Sequence, residues 1–442
     1  MKQEWRIFGL FFSISACIAL PAVSQSPGET FVVDASILRA SCGDKPCPVH
    51  VRIVVTQGKI SCIGQGKMES TDSKLKACAI PENARTYDFS QKGVITAGFV
   101  ETLSHIGQIE VDAEDQSHDG VAGKDSNLAH VRAIDGIAMN SRAMEAARNA
   151  GVTVVVVRPL GNALIAGQSV ALRTSGLTVD QALIKDSVAM HVNLGEEARA
   201  DMPLVGARSG QIALLRNFLV NAKRLADADK KKPKDAAEKD SIQRLKDDPG
   251  IAALAEVIWR KKAPLVVHAH RSDEIAAALR LQKELGFQLV IAGGAEAHLL
   301  VKELHDQKVP VIVGPVRVSP FGWNTRQARA ENAGILHQIP GDLALATADT
   351  HNARNLRFEA GYAQENGLLA QNQPEIPVAL HAVTDWPAQI LGLPQTGPNA
   401  VGQVLEGQIA DFVVLEGDPL SYDGHVVFVS AGGKAIESPH QR

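Results

Sequence analysis

The chain has no excess of positive charge. Its 45 Lys and Arg stand against 49 Asp and Glu, for a formal net charge of −4 over 442 residues. That balance argues against a basic nucleic-acid binder. After the N-terminus no apolar run reaches the roughly 18 residues that a membrane-spanning helix needs. Cysteine is scarce, five residues in all, and no two pairs show the C-x-x-C spacing of a zinc knuckle. What is present is ordinary globular composition, 45% hydrophobic, ample for one large domain and a smaller one.

The first residues read as a targeting segment. MKQEWR supplies a short charged region, IFGLFFSISACIAL an apolar one, and Ala22-Val23-Ser24 a small-residue cleavage site before Gln25. A signal peptide over 1–24 implies a periplasmic or secreted protein. Ile14-Ser15-Ala16-Cys17 also resembles a lipobox, but apolar residues continue past Cys17, which disfavours a lipid anchor there. The other cysteines, Cys42, Cys47, Cys62 and Cys78, lie close together. An even, clustered set in an exported chain reads as two disulfides. A zinc site is the alternative that the spacing disfavours.

Residues 31–90 alternate in short β-rich runs, FVVDASILRA, VHVRIVVTQGKISCIG and ARTYDFS, broken by Gly, Pro and Asp. The far end, GQVLEGQIADFVVLEGDPL and HVVFVSAGGKAIE, has the same style. Between them strands alternate with helices. SRAMEAARNAG is a helix stopped by Gly151, followed by the buried strand GVTVVVVRPL. SVAMHVNLGE, APLVVHAH, FQLVIAGG, VPVIVGP and DLALATAD continue the series. This order argues a parallel α/β sheet with right-handed crossovers, and the span 96–396 has the size of one (β/α)₈ TIM-type barrel. The charge-dense stretch 221–249 reads as a solvated helical insertion.

KGVITAGFVETLSHIGQIEV places Glu101, Leu103 and His105 on one strand face by period two. Together with VVHAHRSDEI, IAGG, ATADTHNARN and the segment ending ADFVVLEGDPL, it resembles the amidohydrolase superfamily, in the imidazolonepropionase-like branch. The resemblance covers nearly the whole chain beyond residue 24. It implies a barrel over 96–396 and a small composite β-sandwich built from both chain ends, 25–95 and 397–442. It also implies a hydrolase of amide or cyclic-amide C–N bonds that acts on a small-molecule substrate with metal-activated water.

Carried over residue by residue, the resemblance implies His105, His270, Glu196 and Asp349 as ligands of a divalent metal, a single zinc. Asp349 would also be the catalytic proton shuttle. His268, Asp273, His351 and Arg354 are the expected substrate-binding residues. Arg158, Arg271, Arg354 and Arg357 lie near strand ends, where a guanidinium can hold a carboxylate bidentately. Two family positions are altered. Leu103 stands where the first His of strand one is usual, and Gly293 where the His of strand six is usual. In strand eight Ala348 separates Thr347 from Asp349, so Asp349 serves only after a local bulge. These losses keep a second reading in view, a catalytically degenerate relative that binds a small molecule or partner without turnover.

Overall fold

The structure is a computed structural model that describes residues 29–39, 47–68, 75–120, 125–196, 198, 206–230, 233–317, 320, 322–337, 342–369 and 377–437. Residues 1–24, which contain Cys17 and are expected to be a targeting segment, lie outside the described residues, as does Cys42.

The early β-rich runs form β1 (Phe31–Leu38), β2 (Val49–Thr56), β3 (Lys59–Gln65) and β4 (Arg85–Ala97). The middle of the chain gives β5 (Phe99–Ser104), β6 (Val152–Val157), β7 (Ile165–Gln168), β8 (Val170–Arg173), β9 (Leu183–Lys185), β10 (Met190–Asn193), β11 (Leu265–Ala269), β12 (Leu289–Gly293), β13 (Val311–Val313) and β14 (Leu343–Leu345). The last segment gives β15 (Phe412–Glu416), β16 (His425–Ala431) and β17 (Lys434–Glu437).

Both ends of the chain share one seven-stranded sheet, in the order β17-β16-β15-β4-β1-β2-β3. The junction is the antiparallel pair β15–β4. Alternation in β1 and β4 sends apolar residues to one face, where Phe428 meets Phe31, Tyr87, Phe89 and Phe412 at centroid separations of 4.6–6.0 Å. One C-terminal ring thus closes a core that is otherwise mostly N-terminal, and rings at these distances add about 0.5–1.5 kcal/mol per pair beyond area burial. Cys62 and Cys78 form a disulfide across this region, as their clustering implies. Cys47 is also disulfide-bonded.

The alternating middle segment is a mixed α/β arrangement. β10, β11, β12, β13 and β14 pair in parallel, in chain order, with β7 antiparallel at one edge. β5, β6, β8 and β9 make a four-stranded sheet in which β5 and β6 are parallel. β6 is buried on both faces, which its unbroken VTVVVV run requires of a covered parallel strand. The preceding helix, Arg142–Asn149, starts where Ser141 Oγ accepts from the Ala143 N–H. It stops at Gly151, whose φ of +93° suits a residue without Cβ.

Leu103 of β5, Val154 and Val156 of β6, Val266 of β11, Ala292 of β12 and Ala344 of β14 share one interior cluster. Period two then aims the residues just beyond these positions at the same interior, toward the strand C-termini. The charge-dense stretch is helical, with Arg208–Ala228 and Ala236–Asp247 exposing their charged faces. Among the described residues no helix is long and apolar enough to cross a membrane.

Candidate active site

Three strand ends and the body of β10 contribute one group of polar side chains. His105 stands two residues past Leu103, Arg158 two past Val156, and His268 two past Val266. His191 comes from β10. His105, His191 and His268 are all buried, at 7%, 1% and 6% exposed.

The backbone fixes this group. The Arg158 N–H donates to the Ser104 carbonyl at 3.0 Å, and the Arg158 carbonyl accepts from His105 Nδ1 at 3.1 Å. A carbonyl only accepts, so His105 in its neutral form carries its proton on Nδ1 and leaves a lone pair on Nε2. His191 Nδ1 and His268 Nε2 lie 3.0 Å apart and share a single hydrogen. His191 Nε2 is buried with no partner among the described residues. A buried polar atom left so costs about 1–3 kcal/mol unless water or a ligand meets it.

Electrostatics keep all three imidazoles neutral. Burial pushes the His105 pKa down to about 3, the Arg158 charge lowers it further, and the bond to the Arg158 carbonyl partly offsets both. Burial first, and then the Arg158 charge, hold His191 and His268 well below the usual imidazole range. The Arg158 charge thus adds to burial in keeping these bases neutral.

Beside the group, Glu101 ties the first strand to the end of β14. Its Oε1 accepts from the Leu103 N–H at 3.0 Å, and its Oε2 from the Thr347 N–H at 2.9 Å and Oγ1 at 2.6 Å. Burial lifts this carboxyl to about 7, against the pull of those hydrogen bonds.

The expected site residues divide sharply. His105 and His268 enter the central group, although His268 was expected to contact substrate and His270 to bind metal. His270 instead lies over Gly293: a Cβ there would come within 2.6 Å of His270 Cε1. The strand-six position is thus filled by the His270 ring. Glu196 is exposed on the turn after β10, and that turn is pinned by Gln211, which bonds both the N–H and the carbonyl of Gly195. Asp349 Oδ1 accepts from the Asn352 N–H at 2.8 Å and so caps the turn that follows. Ala348 before it has a φ of +52°, which is the local distortion that the extra residue demands.

Asp273 is exposed and paired with Arg271 at 2.9 Å. His351 lies 3.5 Å from Asp112, and Arg354 is exposed. Arg357 is structural, donating to the carbonyls of Pro419, Ser421 and Gly424. Next to His270 and Gly293 opens a cavity of about 180 Å³, whose walls include Val313, Arg317, Arg329 and Tyr362.

The ligand set expected for a metal is not assembled. Among the described residues no three His, Cys, Asp or Glu side chains converge as a cation's ligands would. The reason is visible in the donors. His191 and His268 spend facing nitrogens on each other, Asp349 caps a turn, Glu196 faces solvent, and a guanidinium charge acts on every imidazole of the group. These residues do not fit the zinc that the motifs imply. Sequence reading also missed His191. Its signal was available: in AMHVN it alternates with Ala189 and Asn193, the same period that marks His105 and His268.

No protein-family model matches the chain. The amidohydrolase tasK of Hapsidospora irregularis is 26% identical over 361 residues, which is 72% of this chain but 34% of that protein. The chain therefore spans about a third of that relative's length. Among solved structures, an amidohydrolase from Thermotoga maritima aligns with a TM-score of 0.75 at 25% identity, over 92% of this chain and 99% of its own. An adenosine deaminase from Xanthomonas campestris with bound zinc aligns with a TM-score of 0.52 at 15% identity, over 93% and 95%. That last likeness is one of fold alone.

Proposed function

We propose, from the premise that this chain is a member of the amidohydrolase superfamily, that it hydrolyses an amide or cyclic-amide C–N bond of a small molecule at the imidazole–guanidinium centre. The observation that carries this is the grouping of His105, Arg158 and His268 at strand C-termini, where barrels of this class place their chemistry, with His191 of β10 bonded to His268. A neutral imidazole takes the proton of water as its oxygen adds to the carbonyl carbon, and returns a proton to the leaving nitrogen as the C–N bond breaks. Arg158 bonds the oxyanion that forms in between. No step is routed through a metal. The zinc of the deaminase belongs to that protein, and the donors here are otherwise engaged.

The reading takes the two inner sheets as one (β/α)₈ barrel over 96–396. It takes the terminal segments 25–95 and 397–442 as a β-sandwich beside it. Residues 1–24 are the signal peptide that directs the chain to the periplasm or beyond. The test is a panel of N-acyl amino acids and cyclic amides, followed by mass spectrometry for gain of water, on wild type, His191→Ala and His268→Ala. Turnover lost in both variants supports the reading. Leu103 and Gly293 at usual ligand positions favour a second one, binding without turnover, and an inactive wild type that is nonetheless stabilised by panel members would select it.

A further inference from the structure

We propose that the cavity beside His270 is a second binding site, one for a small carboxylate with a compact apolar body. Among the described residues its walls hold none of the imidazole centre, neither His105, His191 and His268 nor Arg158. The first support is that the cavity is built. On one side the Val316 and Arg317 N–H groups donate to Glu359 Oε2 at 2.6 and 3.0 Å, and Arg317 Nε donates to Glu359 Oε1 at 2.9 Å. On another, Asn332 Nδ2 donates to the Gly294 carbonyl at 2.9 Å, and its Oδ1 accepts from the His298 N–H at 3.2 Å. Glu359 and Asn332 are both buried, so these bonds hold the walls around about 180 Å³ of space.

The second support is the sign of the wall's charge. Among the described residues that line the cavity there is no Asp or Glu, whereas Arg317 and Arg329 are both present. Arg317 is matched by Glu359, which is not itself a wall residue. Arg329 is exposed and makes no ion pair or side-chain hydrogen bond among the described residues. The wall is thus positive by one guanidinium, whose planar fork matches a carboxylate. The third support is shape. Ala295, Val313, Pro315, Val316 and Ala328 make an apolar wall, and a space of roughly 150 Å³ takes a group of about benzene's size. An exposed guanidinium alone holds an anion weakly. Apolar walls add the burial of the ligand's hydrocarbon body to that attraction.

Calorimetry at low salt on the purified protein tests this, with isovalerate as the probe and isovaleramide as its uncharged isostere. Wild type should bind isovalerate, and not isovaleramide over the same concentration range. Arg329→Met should weaken isovalerate binding by about tenfold or more, since hydrogen bonds between charged groups are lost. Ala328→Leu fills the cavity, leaves the arginine in place and should abolish binding. Equal binding of acid and amide by wild type overturns the proposal, as does a wild type that takes up neither. So does affinity for isovalerate that survives Arg329→Met, or that survives Ala328→Leu and so needs no cavity. Should one variant fail to fold, the other variant and the pair of probes on wild type still decide.

The outcome is separable from that of the hydrolase reading, because binding is measured without turnover. His268→Ala should leave the affinity for isovalerate as it is in wild type. Loss of that affinity in a folded His268→Ala would put the carboxylate at the imidazole centre and contradict a second site.

Discussion

The seven-stranded sheet and the strand-end centre both join parts of the chain hundreds of residues apart, yet they handle buried charge in opposite ways. In and beside the sheet, two arginines meet carboxylates. Arg52 forks onto Asp34 through two bonds of 2.8 Å. Arg173, in the four-stranded sheet, meets Asp411 just ahead of β15 at 2.9 Å. At the centre, the Arg158 charge acts on three neutral imidazoles, each of which it makes harder to protonate. A matched pair is a joint, since neither partner gains by meeting anything else. Buried imidazoles held neutral beside a guanidinium charge are instead the kind of perturbed cluster that marks a candidate functional site.

The comparison breaks most visibly at the joint. Arg173→Met leaves Asp411 buried, with a remaining bond from the Gly432 N–H, and should cost about 3–5 kcal/mol in urea unfolding. Adding Asp411→Leu should return much of that loss, because a buried pair is worth little more than apolar residues in its place. If the double variant is no better than the single, the pair is more than a joint.

At the centre the expected effect depends on pH. An unfolded imidazole binds a proton below about 6.5, while folded His105 does so only near 3. Between those values the unfolded state binds more protons, so stability falls as pH falls through the window. For His105 alone the loss is on the order of 5 kcal/mol across it, and His191 and His268 act in the same direction. Denaturant melts from pH 7 to 4 should show this decline, and His105→Gln should flatten it. An unchanged slope in the variant would put the acid sensitivity elsewhere.

Glu101 lies between the two regimes. Its raised pKa acts the other way: the folded state binds the extra proton between about 4.5 and 7, so this group favours folding toward the acid side of that window. All its partners are donors, and Glu101→Gln would turn an amide N–H₂ against one of them. The expected cost is about 1–3 kcal/mol by thermal unfolding. The smallest effect is at Gly293. An Ala there sits at a left-handed φ of +86°, which costs about 1–2 kcal/mol, and it must also displace the His270 ring. The His270 imidazole resonances should shift while those of His191 and His268 stay in place.

How legible each region was in the sequence follows from the same contrast. The sheets obey local rules. The β-rich apolar runs FVVDASIL, FVVLE and VTVVVV and the caps at Ser141 and Gly151 are written in neighbouring residues, and the βαβα order carried the parallel pairing of β10 to β14. The joining of the chain ends was legible too, through the family resemblance of the last segment. The centre was legible in part. His105 and His268 were marked by period two, but motif matching gave the metal-facing role to His270 and left His191 unnamed. A motif records which residue types recur. It does not record that Gly293 gives the His270 ring a place to lie, or that His191 and His268 bond each other across adjacent strands. Glu196 and Asp349 each belong to a turn whose own hydrogen bonds decide where it points, which a motif does not record.

The direct test sets His268 against His270, because the sequence motif and the folded chain rank them differently. With any amide of the panel that wild type hydrolyses, kcat/KM is measured for His268→Ala and His270→Ala, with circular dichroism to confirm folding. The account predicts a loss of about 10²–10⁴-fold for His268→Ala, the range of a lost proton-transfer group, and a loss within about tenfold for His270→Ala. The reverse order, with His270→Ala the inactive variant and His268→Ala near wild type, would contradict it.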